Sequence, residues 1–281
     1  MGPPLRITIL SDVYAGLPFQ LIVGVKAEYG FSAYVESPKL NVLFDTGMSG
    51  DVALENAEKL GLCLCPDYIV ISHGHSDHTG GLPKVLEKFK APIVAHPEAF
   101  EPKFAMVNGT LKEIGMPLSR AEIEKKVRVI TTKVPLRLSD EVWFSGEIPR
   151  KWGPSHSGLV YKVDPEKGAV QDEVKDDSAL YIKTSKGLFV ITGCGHAGVE
   201  NIVEYGLQVT GESKLYGILG GLHLLGASEE RMKEVAKYLA SKSPEVVVPT
   251  HCTGQRAQYL LAKELGDAYR EGGPGVSVEL P

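Results

Sequence analysis

The sequence predicts an α+β fold in which two β-rich halves pack face to face and carry helices on the outside. Two observations support this prediction. Short apolar runs of strand length recur along the chain and fall into two groups. Helix-like stretches lie among these runs in both groups, as expected where helices must cover the outer face of each sheet.

The predicted strands are short apolar runs bounded by residues that favour turns. The first group comprises Arg6 to Leu10, Leu21 to Val25, Ser32 to Val35, Val42 to Phe44, Tyr68 to Ser72 and Pro92 to Ala95. The second group comprises Val127 to Thr131, Val142 to Phe144, Ala179 to Ile182, Leu188 to Thr192, Leu215 to Leu219 and Glu245 to Pro249.

The predicted helices are helix-like stretches that fall among these strands. They are Asp51 to Leu60, Lys84 to Lys90, Ala121 to Lys125, Gly198 to Thr210, Ser228 to Lys242 and Gln255 to Leu265. The residues from about 97 to 177 are the least patterned part of the chain and contain several prolines. We interpret part of this segment as an insertion or lid, because loops on a rigid scaffold often determine substrate choice.

The composition narrows the class of protein. The chain has 281 residues, of which 43% are hydrophobic and 23% charged, as is ordinary for a soluble globular protein. The net charge is −5 and no basic block stands out, so nucleic-acid binding is not expected. No apolar run approaches the roughly 18 residues of a membrane span, and Met1 to Arg6 do not begin a signal peptide. We therefore expect a cytoplasmic protein that acts on a small molecule. The sequence does not determine its oligomeric state.

Metal-binding residues are concentrated in the segment His73-Gly74-His75-Ser76-Asp77-His78. This segment follows the apolar run Tyr68 to Ile71 and precedes a helix-like stretch, so it lies on the turn between a buried strand and a helix. Imidazole and carboxylate groups are ligands that Zn²⁺ and similar divalent ions favour. On an extended loop the first two histidines can point to the same side. The aspartate and the third histidine can then face a second ion.

The pattern His-x-His-x-Asp-His after a buried strand resembles the signature of the metallo-β-lactamase fold superfamily. Three further segments resemble the other motifs of that superfamily in the expected order: Asn41 to Gly47, Leu188 to His196 and Val246 to Gly254. The resemblance covers nearly the whole chain. It implies a single domain over residues 1–281, folded as a four-layer αββα sandwich of two mixed β-sheets with outer helices.

The resemblance also implies one or two bound divalent ions, with zinc expected and manganese or another divalent ion as alternatives. The expected ligands are His73, His75 and His196 for one ion, and Asp77, His78 and His251 for the other. A divalent ion held in this way brings the pKa of a bound water near neutrality. Asp45 fits the carboxylate that orients a ligand imidazole, and its alternative role is to cap the turn at Thr46-Gly47.

The chain departs from the common superfamily pattern at a bridging aspartate. Many members carry it at the end of a strand between the third and last motifs, but no aspartate occurs here from Ser178 to Gly266. Gly220-Gly221-Leu222-His223 follows the strand instead. We therefore expect the second ion to be held weakly. His223 is interpreted as a ligand, a general acid or a substrate contact, with a structural histidine as the alternative, and Asp77 and His223 are the candidate catalytic residues.

The four cysteines do not form a disulfide framework in a chain of this length, and we expect them to be reduced. Cys63 and Cys65 lie in the first half of the chain. Cys194 and Cys252 each lie within two residues of a predicted ligand histidine, so either can border the site. Direct ligation by these sulfurs is not expected, because the neighbouring histidines already fit the ligand positions.

One branch of the superfamily is the most similar, namely the prokaryotic group of 7,8-dihydropterin-6-methyl-4-(β-D-ribofuranosyl)-aminobenzene 5′-phosphate synthases, which also contains many metal-dependent hydrolases. The similar segments are Ala27 to Ser32, Phe144 to Arg150, Gly193 to Gly198, Gly220 to Leu224 and Pro249 to Gly254. This resemblance implies that a pterin diphosphate and an aryl ribosyl phosphate react with loss of diphosphate. Arg150 is a candidate substrate-binding residue, because its planar guanidinium group can donate two parallel hydrogen bonds to phosphate oxygens. The alternative is an ordinary surface arginine.

Two other functions remain compatible with the sequence. The same metal centre suits a general hydrolase of an ester, a lactone or a phosphoester. A metal-binding sensor of a small ligand, with little turnover, is the alternative from a different class, and the missing bridging carboxylate favours it.

Overall fold

The computed structural model describes residues 5–16 and 18–281. The prediction that no signal peptide begins the chain rests partly on residues 1–4, which lie outside the described residues. None of the helices in the described ranges has both the length and the apolar character that a bilayer span requires.

The strands are short and distributed along the whole described chain. The first eight are β1 Leu5–Ser11, β2 Ser32–Glu36, β3 Val42–Phe44, β4 Tyr68–Val70, β5 Ile93–Ala95, β6 Phe104–Val107, β7 Thr110–Glu113 and β8 Val129–Thr131. The others are β9 Leu136–Arg137, β10 Val142–Phe144, β11 Val160–Asp164, β12 Gly168–Gln171, β13 Ala179–Thr184, β14 Gly187–Thr192, β15 Leu215–Gly221, β16 Val246–Thr250 and β17 Ser277–Leu280.

The α-helices alternate with these strands. They are α1 Asp51–Lys59, α2 Ser76–Thr79, α3 Leu82–Lys88, α4 Arg120–Glu124, α5 Val199–Thr210, α6 Glu229–Ser241 and α7 Gln255–Leu265. Ser228 caps the start of α6, because its hydroxyl accepts a hydrogen bond from the backbone N–H of Arg231.

Two mixed β-sheets form the body of the protein. The first has seven strands in the order β17-β1-β2-β3-β4-β5-β8, and the second has six in the order β16-β15-β14-β13-β10-β9. In the first sheet β3, β4, β5 and β8 run parallel, and in the second β14, β15 and β16 run parallel. The carboxyl ends of each parallel group therefore lie at one edge of its sheet.

The main core lies between the two sheets, and β14 shows how the sequence produces it. Phe189 and Ile191 pack in the core between the sheets, whereas Leu188 and Val190 pack in the core beneath the helices. All four side chains are fully buried. Since successive residues of a strand point to opposite faces, a continuous apolar run fills both cores at once.

Helices cover the outer face of each sheet. Ala53 of α1, Leu86 of α3 and Ile123 of α4 share a buried cluster with Ile69 of β4. On the other side α5, α6 and α7 pack in the same way against the second sheet. The predicted four-layer αββα sandwich of two mixed sheets is confirmed.

A third, smaller sheet lies within the least patterned segment. It is antiparallel, with the order β12-β11-β6-β7, and all its strands fall between residues 97 and 177. The sequence analysis did not identify these strands, which are only four or five residues long and contain no fully buried side chain. The single domain with an insertion or lid in this segment stays a prediction.

The predicted strand from Leu21 to Val25 is wrong. Phe19–Val23 forms a short π-helical turn, which ends at Gly24 in the left-handed conformation. The side chains of Leu21 and Ile22 are 83% and 81% exposed, so this apolar run does not pair with either sheet. Apolar character alone therefore misassigned a segment whose local geometry is set by Gly24 and by Pro18 at its start.

Candidate metal centre

The predicted site residues follow the carboxyl ends of parallel strands in both sheets. In the first sheet, Asp45 follows β3 and His73 follows β4. In the second sheet, His196, His223 and His251 follow β14, β15 and β16 respectively. Because the two sheets face each other, these ends meet at one edge of the sandwich and bring distant parts of the sequence together.

The loop after β4 places its histidines by a close approach of the backbone. A Cβ atom on Gly74 would lie 2.3 Å from the carbonyl oxygen of Ala99, so this position requires glycine. His75 has an extended backbone and precedes the single turn of α2, in which Asp77 and His78 lie. The change from extended loop to helical turn therefore separates the two pairs of donors.

Three imidazoles converge to form the first donor group. His73 Nε2 lies 3.0 Å from His75 Nδ1. The ring of His196 lies 5.0 Å from the rings of both histidines, measured between centroids. All three side chains are buried.

The second donor group lies beside the first. His251 Nε2 is 3.1 Å from both His78 Nε2 and Asp77 Oδ2. The His73 and His78 ring centroids are only 4.4 Å apart, so the two groups are adjacent. The structure thus brings together all six residues that the sequence analysis proposed as ligands. Their roles as ligands stay a prediction.

A divalent ion fits each donor group. When two imidazole nitrogens lie about 3 Å apart, a proton or a cation must lie between their lone pairs. Each donor group contains one such pair, His73 with His75 in the first and His78 with His251 in the second. Within residues 5–16 and 18–281, Nε2 of His196 is buried and has no hydrogen-bond partner. A buried imidazole nitrogen without a partner is costly unless an ion takes that place.

The electrostatics of the two groups support this fit. Burial lowers the pKa of His73 well below its ordinary value, with help from His78 and His75, so the neutral form that binds metals is favoured. Burial opposes ionisation of Asp77, but His78 and His251 outweigh it and hold the pKa of this carboxyl well below its usual range. Asp77 therefore remains an anionic donor.

His78 occupies a position where positive charge is stabilised. Burial alone would lower its pKa, but Asp77 and Asp45 outweigh burial and raise the pKa well above the ordinary value. The two carboxylates therefore favour a positive charge at this position, as a bound cation would supply.

Asp45 supports an imidazole in each donor group. Its Oδ2 atom lies 2.7 Å from His78 Nδ1 and accepts a hydrogen bond from the Ser72 hydroxyl at 2.7 Å. That hydroxyl in turn lies 2.9 Å from His73 Nδ1. Holding Nδ1 in this way leaves Nε2 of both histidines free to face an ion. The sequence analysis proposed the role of Asp45 and missed that of Ser72.

The orientation of His196 depends on His156, which the sequence analysis did not include among the site residues. The Nδ1 atom of His196 donates to the backbone carbonyl of His156 at 2.8 Å, and the N–H of His156 donates to the carbonyl of His196 at 2.9 Å. No sequence signal points to this pair, because the supporting groups belong to the backbone. Asp12 was also missed, although its carboxylate accepts from the N–H of His251 at 3.0 Å.

His223 lies beside the first donor group but belongs to neither. Its ring is 4.1 Å from the ring of His196 between centroids, and its backbone has a left-handed φ of 46°. A Cβ on Gly220 would lie 2.0 Å from the carbonyl oxygen of Thr192, so the turn that delivers His223 requires glycine there. Burial, with His156 and His75, lowers the pKa of His223 to about 4.

The donor groups open into a cavity of about 360 Å³. Polar donors form its floor, and Tyr29, Met48, Ile114 and Leu159 contribute apolar surface. Tyr29 is 57% exposed and its ring lies 5.5 Å from that of His251. The mouth can therefore accept a flat, partly apolar molecule against the metal-binding residues.

Arg150 lies in a second cavity next to the first. This cavity has a volume of about 440 Å³, and Ser157 lines both cavities. The Arg150 guanidinium donates to the backbone carbonyls of Ile148 and Val174, each at 3.0 Å. It therefore has a structural role, and it makes no hydrogen bond to the donor groups among the described residues. Its predicted role in binding substrate stays open.

The comparisons with known proteins agree with this geometry. The family model described as the metallo-β-lactamase superfamily matches residues 25–251. A solved structure, that of Tm1679, described as a metal-dependent hydrolase of the β-lactamase superfamily, has 30% sequence identity and a TM-score of 0.83. The match covers 98% of this chain and 99% of that protein.

Two relatives come from Methanocaldococcus jannaschii. One is named 7,8-dihydropterin-6-methyl-4-(β-D-ribofuranosyl)-aminobenzene-5′-phosphate synthase and is 30% identical, over 94% of this chain and 93% of its own length. The other is an uncharacterised protein that is 35% identical, over 84% of this chain and 88% of its own length.

Proposed function

The chain belongs to the metallo-β-lactamase superfamily, and on that premise we propose that it is a metal-dependent enzyme acting on a small phosphorylated or pterin-type molecule. The observation that carries the proposal is the adjacency of two donor groups on the floor of one cavity. We propose zinc as the metal, since the donors are mainly imidazoles.

The proposed ligands are the six residues described above. Bound divalent ions at this place would supply Lewis acidity, neutralise anionic oxygens and lower the pKa of water. Asp45 and Ser72 hold two of the ligand imidazoles, and the His156 carbonyl holds a third. His223, which lines the cavity and is favoured in its neutral form, is positioned to exchange a proton with a substrate.

A planar ring with a phosphorylated end fits the two neighbouring cavities. We propose that the ring lies against Tyr29 at the mouth, because aromatic faces stack well on planar rings. The phosphate end would then reach the second cavity, where Arg150 and Lys175 offer positive charge. Glu147 and Glu173 also line that cavity, so its charge is mixed.

The experiment that tests this proposal compares substrates on a metal-reconstituted enzyme. The purified protein is stripped with a chelator, reloaded with Zn²⁺ or Mn²⁺, and incubated with a pterin diphosphate and an aryl ribosyl phosphate. Release of diphosphate with formation of a joined product, only after metal is restored, is the expected result. Metal-independent turnover would contradict the proposal.

A general hydrolase is the second candidate, and the similarity to Tm1679 favours it. That protein is described as a metal-dependent hydrolase and matches almost the full length of the chain at 30% identity. The same reconstituted enzyme is therefore assayed on phosphodiesters, lactones and carboxylic esters. Hydrolysis of one of these, without a synthase reaction, would favour the second candidate over the first.

A further inference from the structure

Cys194 lies between the two donor groups. Its sulfur is 3.2 Å from His78 Nε2. The sulfur and one donor atom each from Asp77, His78 and His251 all lie within 4.8 Å of one another. The same limit holds for the sulfur together with the donor atoms of His73 and His196. Cys194 is therefore the residue that the two groups have in common.

The end of β15 provides no carboxylate between the two donor groups, where Cys194 lies. No aspartate occurs between Gly221, the last residue of β15, and Gly266. A Cβ on Gly221 would lie 2.8 Å from the sulfur of Cys252 and 3.1 Å from the Cα of Cys194. A side chain at position 221 is thus excluded. The side chain that lies between the two donor groups is the thiol of Cys194.

The two neighbouring thiols have different surroundings. The Cys252 thiol donates to the carbonyl oxygen of Cys194 at 3.2 Å, which helps to fix the backbone of Cys194. The Cys194 sulfur instead faces imidazole nitrogens at the floor of the cavity. Both residues are buried, so their chemical environments rather than their exposure distinguish them.

We propose that the Cys194 sulfur is a ligand shared by the two metal ions. This inference rests on the proposed dinuclear metal centre. On binding, the thiol proton is released to solvent and a metal–sulfur bond forms to each ion, without a change in oxidation state. Thiolate is a favourable ligand for zinc and cobalt ions. A shared thiolate would therefore bind the second ion more tightly than we expected from the absence of a bridging aspartate.

The experiment uses the metal ions themselves as probes. Protein freed of metal is titrated with Co²⁺, and the near-ultraviolet thiolate-to-cobalt charge-transfer absorption is recorded. A parallel sample loaded with Zn²⁺ is measured by X-ray absorption, in which a zinc–sulfur distance of about 2.3 Å is expected. For a shared sulfur, the number of sulfur neighbours per zinc stays constant from one bound ion to two. For a sulfur that binds one ion only, the average with both ions bound is half a sulfur neighbour per zinc.

Three variants distinguish metal binding by Cys194 from a role of Cys252 and from a general effect on folding. Cys194→Ser should abolish the charge-transfer absorption and lower the affinity for the second ion. Cys194→Asp should also abolish the absorption but retain the second ion, because a carboxylate can replace the shared ligand. Cys252→Ser keeps a hydroxyl donor for the Cys194 carbonyl and should leave the absorption unchanged.

The outcomes distinguish this inference from the proposed function. Cobalt binding by the histidines without a thiolate absorption would overturn the role of Cys194 and leave the metal centre intact. Absence of cobalt binding in the wild-type protein would overturn both. An absorption that is lost in Cys252→Ser but retained in Cys194→Ser would identify Cys252 as the sulfur ligand and overturn the proposal for Cys194. Circular dichroism of each variant establishes that it is folded.

Discussion

Asp176 Oδ2 accepts a hydrogen bond from the backbone N–H of Gly74 at 2.8 Å, so a carboxylate outside the donor groups holds the loop that carries His73 and His75. The other oxygen of Asp176 accepts from Lys103 Nζ at 2.9 Å. Lys103 also donates to Asp172 at 3.1 Å, and the three charged side chains are buried. Because Lys103 directly precedes β6, this network couples the small third sheet to the metal-binding loop.

Removing the charge of Lys103 should destabilise the protein strongly. In Lys103→Met two buried carboxylates lose their cation, and breaking a buried ion pair in this way costs about 3–5 kcal/mol. Urea-induced unfolding of the metal-free protein measures the loss. Lys39→Met is the matched control, since Lys39 forms only exposed ion pairs that contribute little. Equal stability of the two variants would contradict the importance of the buried network.

The contribution of Asp172 to stability should disappear in acid. Burial raises its pKa, but Lys103 and the N–H of Val174 outweigh burial, so the pKa lies below the ordinary value of 3.8. A carboxyl with a depressed pKa contributes stability that is fully present above the unfolded value and is lost as the pH falls through the folded value. The difference in unfolding free energy between wild type and Asp172→Asn should therefore be constant near neutral pH and shrink below about pH 4.

Much of the candidate site could be predicted because its residues are adjacent in sequence or end an apolar strand. The segment from His73 to His78 reveals its donor chemistry without any knowledge of the fold. His196 and His251 follow apolar runs, and parallel strands deliver their following residues to a common edge. The resemblance of these motifs to a known superfamily then supplied the four-layer arrangement and the assignment of the ligands.

The rest of the site depends on contacts between residues distant in sequence. The carbonyl of His156 orients His196 across 40 positions, and Asp176 holds Gly74 across 102 positions. Neither contact leaves a pattern in composition or spacing, since one partner in each pair is a backbone group. The position of Cys194 between the donor groups likewise follows from how β14 and β4 face each other, which the sequence does not show.

Replacing His75 with alanine should remove most of the tightly bound metal from the purified protein. His75 Nδ1 faces His73 Nε2 at 3.0 Å, so its loss leaves the first donor group with two imidazoles. Elemental analysis after dialysis measures the metal content of each variant.

His156→Ala is the matched control for this experiment. It removes an imidazole near the site but keeps the backbone carbonyl that holds His196, so its metal content should equal that of the wild type. Unchanged metal in His75→Ala would contradict the assignment of His75 as a ligand. Equal loss in both variants would point to a general effect on the fold.

Exchange of His223 for alanine should lower the rate without removing metal. The ring of His223 packs 4.1 Å from that of His196 and lines the cavity, but its nitrogens are absent from both donor groups of the described chain. Loss of a proton-exchanging group or of a substrate contact should lower kcat/KM by about 10²-fold or more. Kinetics and elemental analysis are measured on the same preparation, with His196→Ala as the variant expected to lose both metal and rate. Loss of metal in His223→Ala would instead make this residue a ligand, and a wild-type rate with full metal content would leave it a purely structural role.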